Sequence, residues 1–181
     1  MPNLAQGCAN LYGGTPYLCA DITYLCADTT SGEGQDMGCV EVPLKVGDSQ
    51  VFTKTISESD VYMFAGITGD FSPFHTNAEY MKKTEYGQRL VHGVLTFALS
   101  STASTLIHQA YDEEYPVVSY GYDHVRFTGP VFMGDTITCL YVIDSIDYET
   151  GKTVAKVTIT NQHGDVVCVC DHILKYQSFV D

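Results

Sequence analysis

The sequence contains no tryptophan, and positive charge is nearly as scarce: nine Lys and Arg stand against 22 Asp and Glu, for a formal net charge of −13. A surface of that sign repels phosphate, which argues against nucleic acid or an anionic membrane as a partner, although one or two well-placed cations can still hold a phosphorylated ligand. None of the nine cations precedes Lys45, so an Arg-rich transit peptide is not expected. The N-terminus also has neither the basic start nor the apolar middle of a signal peptide. No apolar run reaches the roughly eighteen residues of a spanning helix. The seven cysteines are odd in number and include no C-x2-C pair, and without a secretory signal they read as reduced thiols in the cytoplasm. Cys168 and Cys170 would share one face of a strand, as buried thiols rather than as metal ligands.

What is present suits one domain. The 181 residues are 45% hydrophobic, enough to build a core. Residues 1–40 hold four of the seven cysteines and a tandem repeat, Tyr17-Leu18-Cys19-Ala20-Asp21 then Tyr24-Leu25-Cys26-Ala27-Asp28. They are expected to be an N-terminal appendage, with residues 41–181 forming the main domain. Two copies of a seven-residue period are too few for a coiled coil, but Leu18, Ile22 and Leu25 are too apolar for a free tail, and packing on the domain or on a partner is expected.

Along the main domain, residues 50–55 alternate weakly and read as a strand. Ser57 then reads as a helix N-cap, with Glu58 and Asp60 in the first turn and Val61, Phe64 and Ala65 on one apolar stripe. The helix should stop near Gly66 or Gly69. A loop follows in which Pro73 blocks helical continuation, and Asn77 can cap a short helix to about Lys83. Residues 94–107 carry no charge at all, which marks a buried helix. Ile137, Cys139, Tyr141 and Ile143 alternate with other residues, as do Ala155, Val157 and Ile159, and a third run covers residues 166–174. Turn signals separate the three, so they form an antiparallel meander. The expected fold is therefore α+β, a long buried helix wrapped by an antiparallel sheet.

Two motifs carry chemistry. In Gly69-Asp70-Phe71-Ser72-Pro73-Phe74-His75, a carboxylate and an imidazole stand five residues apart on a short segment. Asp accepts a proton readily and His donates or accepts near neutral pH, the division of labour that water addition needs. Alone, the spacing describes better an Asp capping a turn and a His filling a gap, because Asp-x4-His is a weak pattern. The second motif, Leu90-Val91-His92-Gly93-Val94, sets a glycine at the start of the uncharged helix. Free N–H groups at a helix N-terminus stabilise a developing oxyanion such as a thioester enolate.

These runs, together with Asp123-His124-Val125-Arg126-Phe127-Thr128-Gly129-Pro130-Val131-Phe132-Met133-Gly134-Asp135-Thr136, resemble the MaoC-like (R)-specific enoyl-CoA hydratases over residues 46–174. The resemblance implies a hot-dog fold, a curled antiparallel sheet around a long helix, assembled as a homodimer or larger homo-oligomer. It also implies interconversion of trans-2-enoyl-CoA and (R)-3-hydroxyacyl-CoA. In that reaction Asp70 and His75 are the catalytic pair and the Gly93 N–H is the oxyanion donor. The thioester is carried by coenzyme A or an acyl carrier protein, and no metal or further cofactor is needed. Ser72 departs from the family's usual Asn and offers one donor instead of two. Ser72, Arg89, His92, Lys82 and Lys83 complete the expected substrate-binding set, with the three cations placed to meet coenzyme A phosphates. His108, His124, His163 and His172 are not expected to bind metal. The rival readings are a hot-dog acyl-CoA thioesterase and a non-catalytic acyl-binding subunit.

Overall fold

The computed structural model describes residues 40–177, so the expected appendage and its repeat lie outside the described residues. The element order is β1 (Ser49–Thr55), α1 (Glu58–Thr68), α2 (Pro73–Thr76), α3 (Ala78–Met81), α4 (Gly93–His108), β2 (Val117–Phe127), β3 (Thr136–Asp147), β4 (Lys152–Thr160) and β5 (Val166–Tyr176). The strands form one sheet in the order β1-β3-β4-β5-β2, antiparallel throughout. The inward positions are those read as alternating: Ile137, Cys139, Tyr141 and Ile143 on β3, with Ala155, Val157 and Ile159 on β4. α4 packs against this face through Leu99 and Ala103. The architecture is α+β and hot-dog, a long helix held by a curled antiparallel sheet.

Local chemistry sets the element ends. Ser57 accepts from the Asp60 N–H while the Asp60 carboxylate accepts from the Ser57 N–H, a full capping box, and α1 ends at Gly69 with φ +79°. Lys54 reaches Asp60 at 3.2 Å, which ties β1 to the start of α1. Pro73 does more than block a helix: it opens one. Ser72 caps the single turn of α2, with proline in the first turn, where its missing N–H costs nothing. His75 therefore rides on a helical turn rather than on an open loop. α3 is capped by Asn77 as expected but ends at Met81, two residues before Lys83. Three further features depart from the sequence reading. α4 is buried on one side only, for Val94, Ala98, Ser101, Thr102 and Thr105 are exposed. β2 is a fifth strand at the sheet edge that alternation did not mark, pairing with β5 through two register shifts, and His124 sits in one of them at φ +53°. β5 itself runs on to Tyr176.

Candidate active site

α2, the start of α4, the end of β2 and β5 converge on one cleft of about 240 Å3, lined by His75, Leu90, Val91, Gly93, Thr96, Phe127, Gly129, Pro130, Val131 and Val167. Asp70 follows the Gly69 cap and is exposed; its Oδ1 accepts the Ser72 N–H at 3.2 Å. The hydroxyl of Ser72 is turned to the Phe74 N–H as the α2 cap. Ser72 thus organises the turn between Asp70 and His75 through its backbone and side chain together.

His75 is half-buried, and its Nδ1 donates to the Leu90 carbonyl at 2.8 Å. A carbonyl only accepts, so Nδ1 keeps its proton, and any proton His75 exchanges passes through Nε2. His92 lies directly behind it. Their rings stack with centroids 3.7 Å apart, and Phe64 packs on the far side of His92 at 4.9 Å. His92 is 3% exposed, and its Nε2 donates to the Asp70 carbonyl at 3.0 Å, with the Asp70 carboxylate at 3.8 Å. Its Nδ1 is buried without a hydrogen-bond partner. Position 92 therefore supports the other two residues from beneath rather than facing a ligand. The sequence signal for this was available in the apolar run Leu90-Val91 ahead of it.

The N-cap of α4 is His92, which makes no side-chain cap bond. The first intrahelical donor is the Thr96 N–H, which bonds the His92 carbonyl, so the N–H groups of the opening turn remain available at the cleft. Gly93 packs closely: a Cβ there would stand 3.1–3.2 Å from the Phe127 ring. Phe127 forms the opposite wall of the cleft, a part the residue-by-residue reading left unassigned.

Asp70, His75 and His92 bring three ligand atoms within 4.8 Å of one another, close enough to ask about a metal. A metal bonds an imidazole in the ring plane, and two planes 3.7 Å apart and 26° from parallel meet well beyond bonding distance. The trio suits proton transfer better than coordination.

The expected phosphate-binding cations are placed less favourably. Arg89 is held by Glu58 at 2.6 Å and by the Tyr62 hydroxyl at 2.8 Å, and its pKa is raised chiefly by the Glu58 bond. Lys82 pairs with Glu79 at 2.5 Å. Lys83 is exposed. Arg126 donates to the Val125 carbonyl. Away from the cleft, burial pushes the thiols of Cys139 and Cys170 up to about 12 and that of Cys168 up to about 11, so all three are inert at neutral pH. His124 meets the carboxylate of Asp171, a cross-strand neighbour that sequence spacing could not reveal.

The far half of α4 holds a second polar cluster. His108 donates from Nδ1 to the Ser104 carbonyl at 2.7 Å and accepts the Tyr176 hydroxyl at 2.6 Å. His172 bonds the Ser119 hydroxyl at 2.9 Å and the Tyr141 hydroxyl at 3.1 Å, and stacks on Tyr122 at 4.0 Å. Burial lowers its pKa to about 4.

Comparison with known proteins agrees with this geometry. The chain is 32% identical over 118 residues to an (R)-specific enoyl-CoA hydratase of Rhodospirillum rubrum, covering 65% of this chain and 78% of that one. It is 30% identical over 138 residues to the 3-hydroxyacyl-thioester dehydratase Z of Mycobacterium tuberculosis, covering 73% and 88%. Among solved structures it superposes on the (R)-hydratase from A. caviae involved in PHA biosynthesis with a TM-score of 0.66, covering 74% of this chain and 97% of that one; at 24% identity that likeness is one of fold. The model of the MaoC like domain matches residues 43–166, most of the described chain, and the protein belongs to that family.

Proposed function

We propose that the protein is a hydratase and dehydratase of acyl thioesters, interconverting a trans-2-enoyl-CoA and the corresponding (R)-3-hydroxyacyl-CoA. The observation that carries this reading is the arrangement of Asp70 and His75 at the open N-terminus of α4, with one His75 nitrogen committed to a carbonyl and the other free at the cleft. The names of the relatives point to the same chemistry.

In the hydration direction the thioester carbonyl accepts the Gly93 N–H, which draws charge off the β-carbon as water attacks. Asp70 takes the proton that the water loses, and protonated His75 gives the Nε2 proton to the α-carbon. Dehydration runs the same path backward: neutral His75 removes the α-proton at Nε2, and protonated Asp70 releases the hydroxyl as water. One proton is shared between the pair in either direction, and His92 beneath keeps both groups in register. The chemistry uses no metal or redox cofactor, and coenzyme A enters as part of the substrate.

A second copy of the chain completes the assembly in this reading. The support is the uncharged exposed stripe of α4 and the open edge of β2, surfaces that a protein covers with a partner. The cytoplasm is the fitting compartment, since Cys139, Cys168 and Cys170 are all unpaired. Among the described residues no helix is long and apolar enough to cross a membrane.

The test is the enoyl absorbance of crotonyl-CoA on mixing with purified protein. Loss of that absorbance without release of free thiol is expected. Thiol release would favour a thioesterase, and neither signal would favour an acyl-binding subunit.

A further inference from the structure

A polar stripe runs along the inward face of α4 beside the apolar Leu99 and Ala103, and this has a consequence for the acyl chain. Thr96, Ser100, Ser104 and His108 follow one another at four-residue intervals and are all buried, so they form one stripe facing the sheet. The cleft reaches only the first of them. On α4 its lining ends at Thr96, on β2 it is Phe127, and on β5 it is Val167. The same channel between α4, β2 and β5 is filled one helical turn further in. There the Tyr122 ring packs edge-on against Phe97 at 4.6 Å and stacks face-on against His172 at 4.0 Å and 5°. The two nearby serines are engaged elsewhere, Ser100 donating to the Phe97 carbonyl at 2.8 Å and Ser119 bonding His172 at 2.9 Å. His172 is in turn fixed by Ser119 and Tyr141.

We infer that Tyr122 is a stopper that limits the substrate to short acyl chains, of about four to six carbons; this rests on the hydratase reading of the cleft. At 1.5 Å per residue, Thr96 lies about 4.5 Å and Ser100 about 10 Å beyond Gly93 along the helix. A crotonyl tail starting from a carbonyl at Gly93 ends before the stopper, whereas an octenoyl tail has to displace it. Displacement is costly because the ring is held between two aromatic partners, Phe97 and His172. Moving it would break the face-on stack on His172 and the edge contact with Phe97, which a flexible apolar tail does not reproduce.

The experiment compares kcat/KM for crotonyl-, hexenoyl-, octenoyl- and dodecenoyl-CoA in wild type, Tyr122→Ala and Tyr122→Phe. Wild type should favour the two short substrates over dodecenoyl-CoA by at least tenfold. Tyr122→Ala, folded by circular dichroism and active on crotonyl-CoA, should narrow that ratio at least tenfold, while Tyr122→Phe, which keeps the ring, should narrow it less. A wild-type enzyme that turns over dodecenoyl-CoA within threefold of crotonyl-CoA overturns the inference whether or not the alanine variant folds. So does a folded Tyr122→Ala with an unchanged ratio. If no chain length is hydrated, the hydratase reading fails and the stopper is judged by calorimetry with saturated thioesters. Tighter binding of butyryl-CoA than of dodecanoyl-CoA then supports it, and the reverse order overturns it.

Discussion

The two ends of α4 are built from the same residue types and do opposite things. At the N-terminal end His75 keeps Nε2 free, His92 keeps a buried Nδ1 without a partner, and the opening N–H groups of the helix are uncommitted. At the C-terminal end both nitrogens of His108 and both of His172 are bonded. A histidine with both nitrogens engaged is a structural piece, and one with a nitrogen left over at a cleft can move protons. The difference lies in the partners and not in the residue, so counting histidines in a sequence cannot separate the two roles.

That contrast breaks most visibly at Asp70. Asp70→Asn keeps the shape but cannot accept a proton, and hydration of crotonyl-CoA should fall about 10²- to 10⁴-fold with unchanged thermal stability. His75→Ala should be similarly damaging, and the double variant should lose far less than the product of the two losses. Near-normal turnover of Asp70→Asn would remove Asp70 from the mechanism.

The opposite end should answer in stability rather than in rate. His172 has its pKa lowered by burial from 6.5 to about 4. Above pH 6.5 both folded and unfolded chains carry it neutral, and its contribution is intact. As pH falls from 6.5 toward 4, the unfolded chain takes a proton that the folded chain refuses. Stability should then drop by up to about 3 kcal/mol, levelling off below pH 4. Burial shifts His108 in the same direction. Chemical denaturation across that window should show the slope, and His172→Gln should flatten it while leaving crotonyl-CoA turnover largely intact at pH 7.5.

A smaller effect is expected at the join of helix and cleft. Gly93→Ala places a methyl group against the Phe127 ring, which must move by a few tenths of an ångström. The N–H survives, so kcat/KM should fall about tenfold from misalignment rather than vanish. Least of all, Arg89→Ala removes a half-exposed ion pair with Glu58 and should cost under about 1 kcal/mol of stability. A large rise in KM for coenzyme A thioesters would instead return Arg89 to the phosphate-binding role.

The sequence disclosed whatever depended on local pattern. The Ser57 cap, the Gly69 stop, the charge-free helix and the three-strand meander all follow from neighbours within a few residues, and the structure has them. β2 escaped because an edge strand with two register shifts does not alternate cleanly. Its exposed Val118 and Tyr120 blur the period on which strand recognition depends. At the site, Asp70, His75 and Gly93 were legible as motifs; His75 and Gly93 line one cleft, and the Asp70 carboxylate lies within 4.8 Å of the His75 ring. The stacking of His92 on His75, the Leu90 carbonyl as anchor and the capture of Arg89 by Glu58 and Tyr62 were not, because each is a contact between elements. Their partners are set by the fold and not by spacing.

The order of the sheet also dictates an order of assembly. β3 pairs with β4 and β4 with β5, each the next strand in the chain, so these three can zip from local turns. β2 must wait: it pairs with β5, its Phe127 opposite Cys168, across a loop of about forty residues whose closure entropy slows the step. The cleft wall beside Gly93 depends on that late pairing, with Thr128 and Gly129 both donating to the Val167 carbonyl. A nascent chain that has emerged only through β4 already contains Asp70, His75 and Gly93. It still lacks the strand that seats Phe127 opposite them, so the motifs exist before the site does.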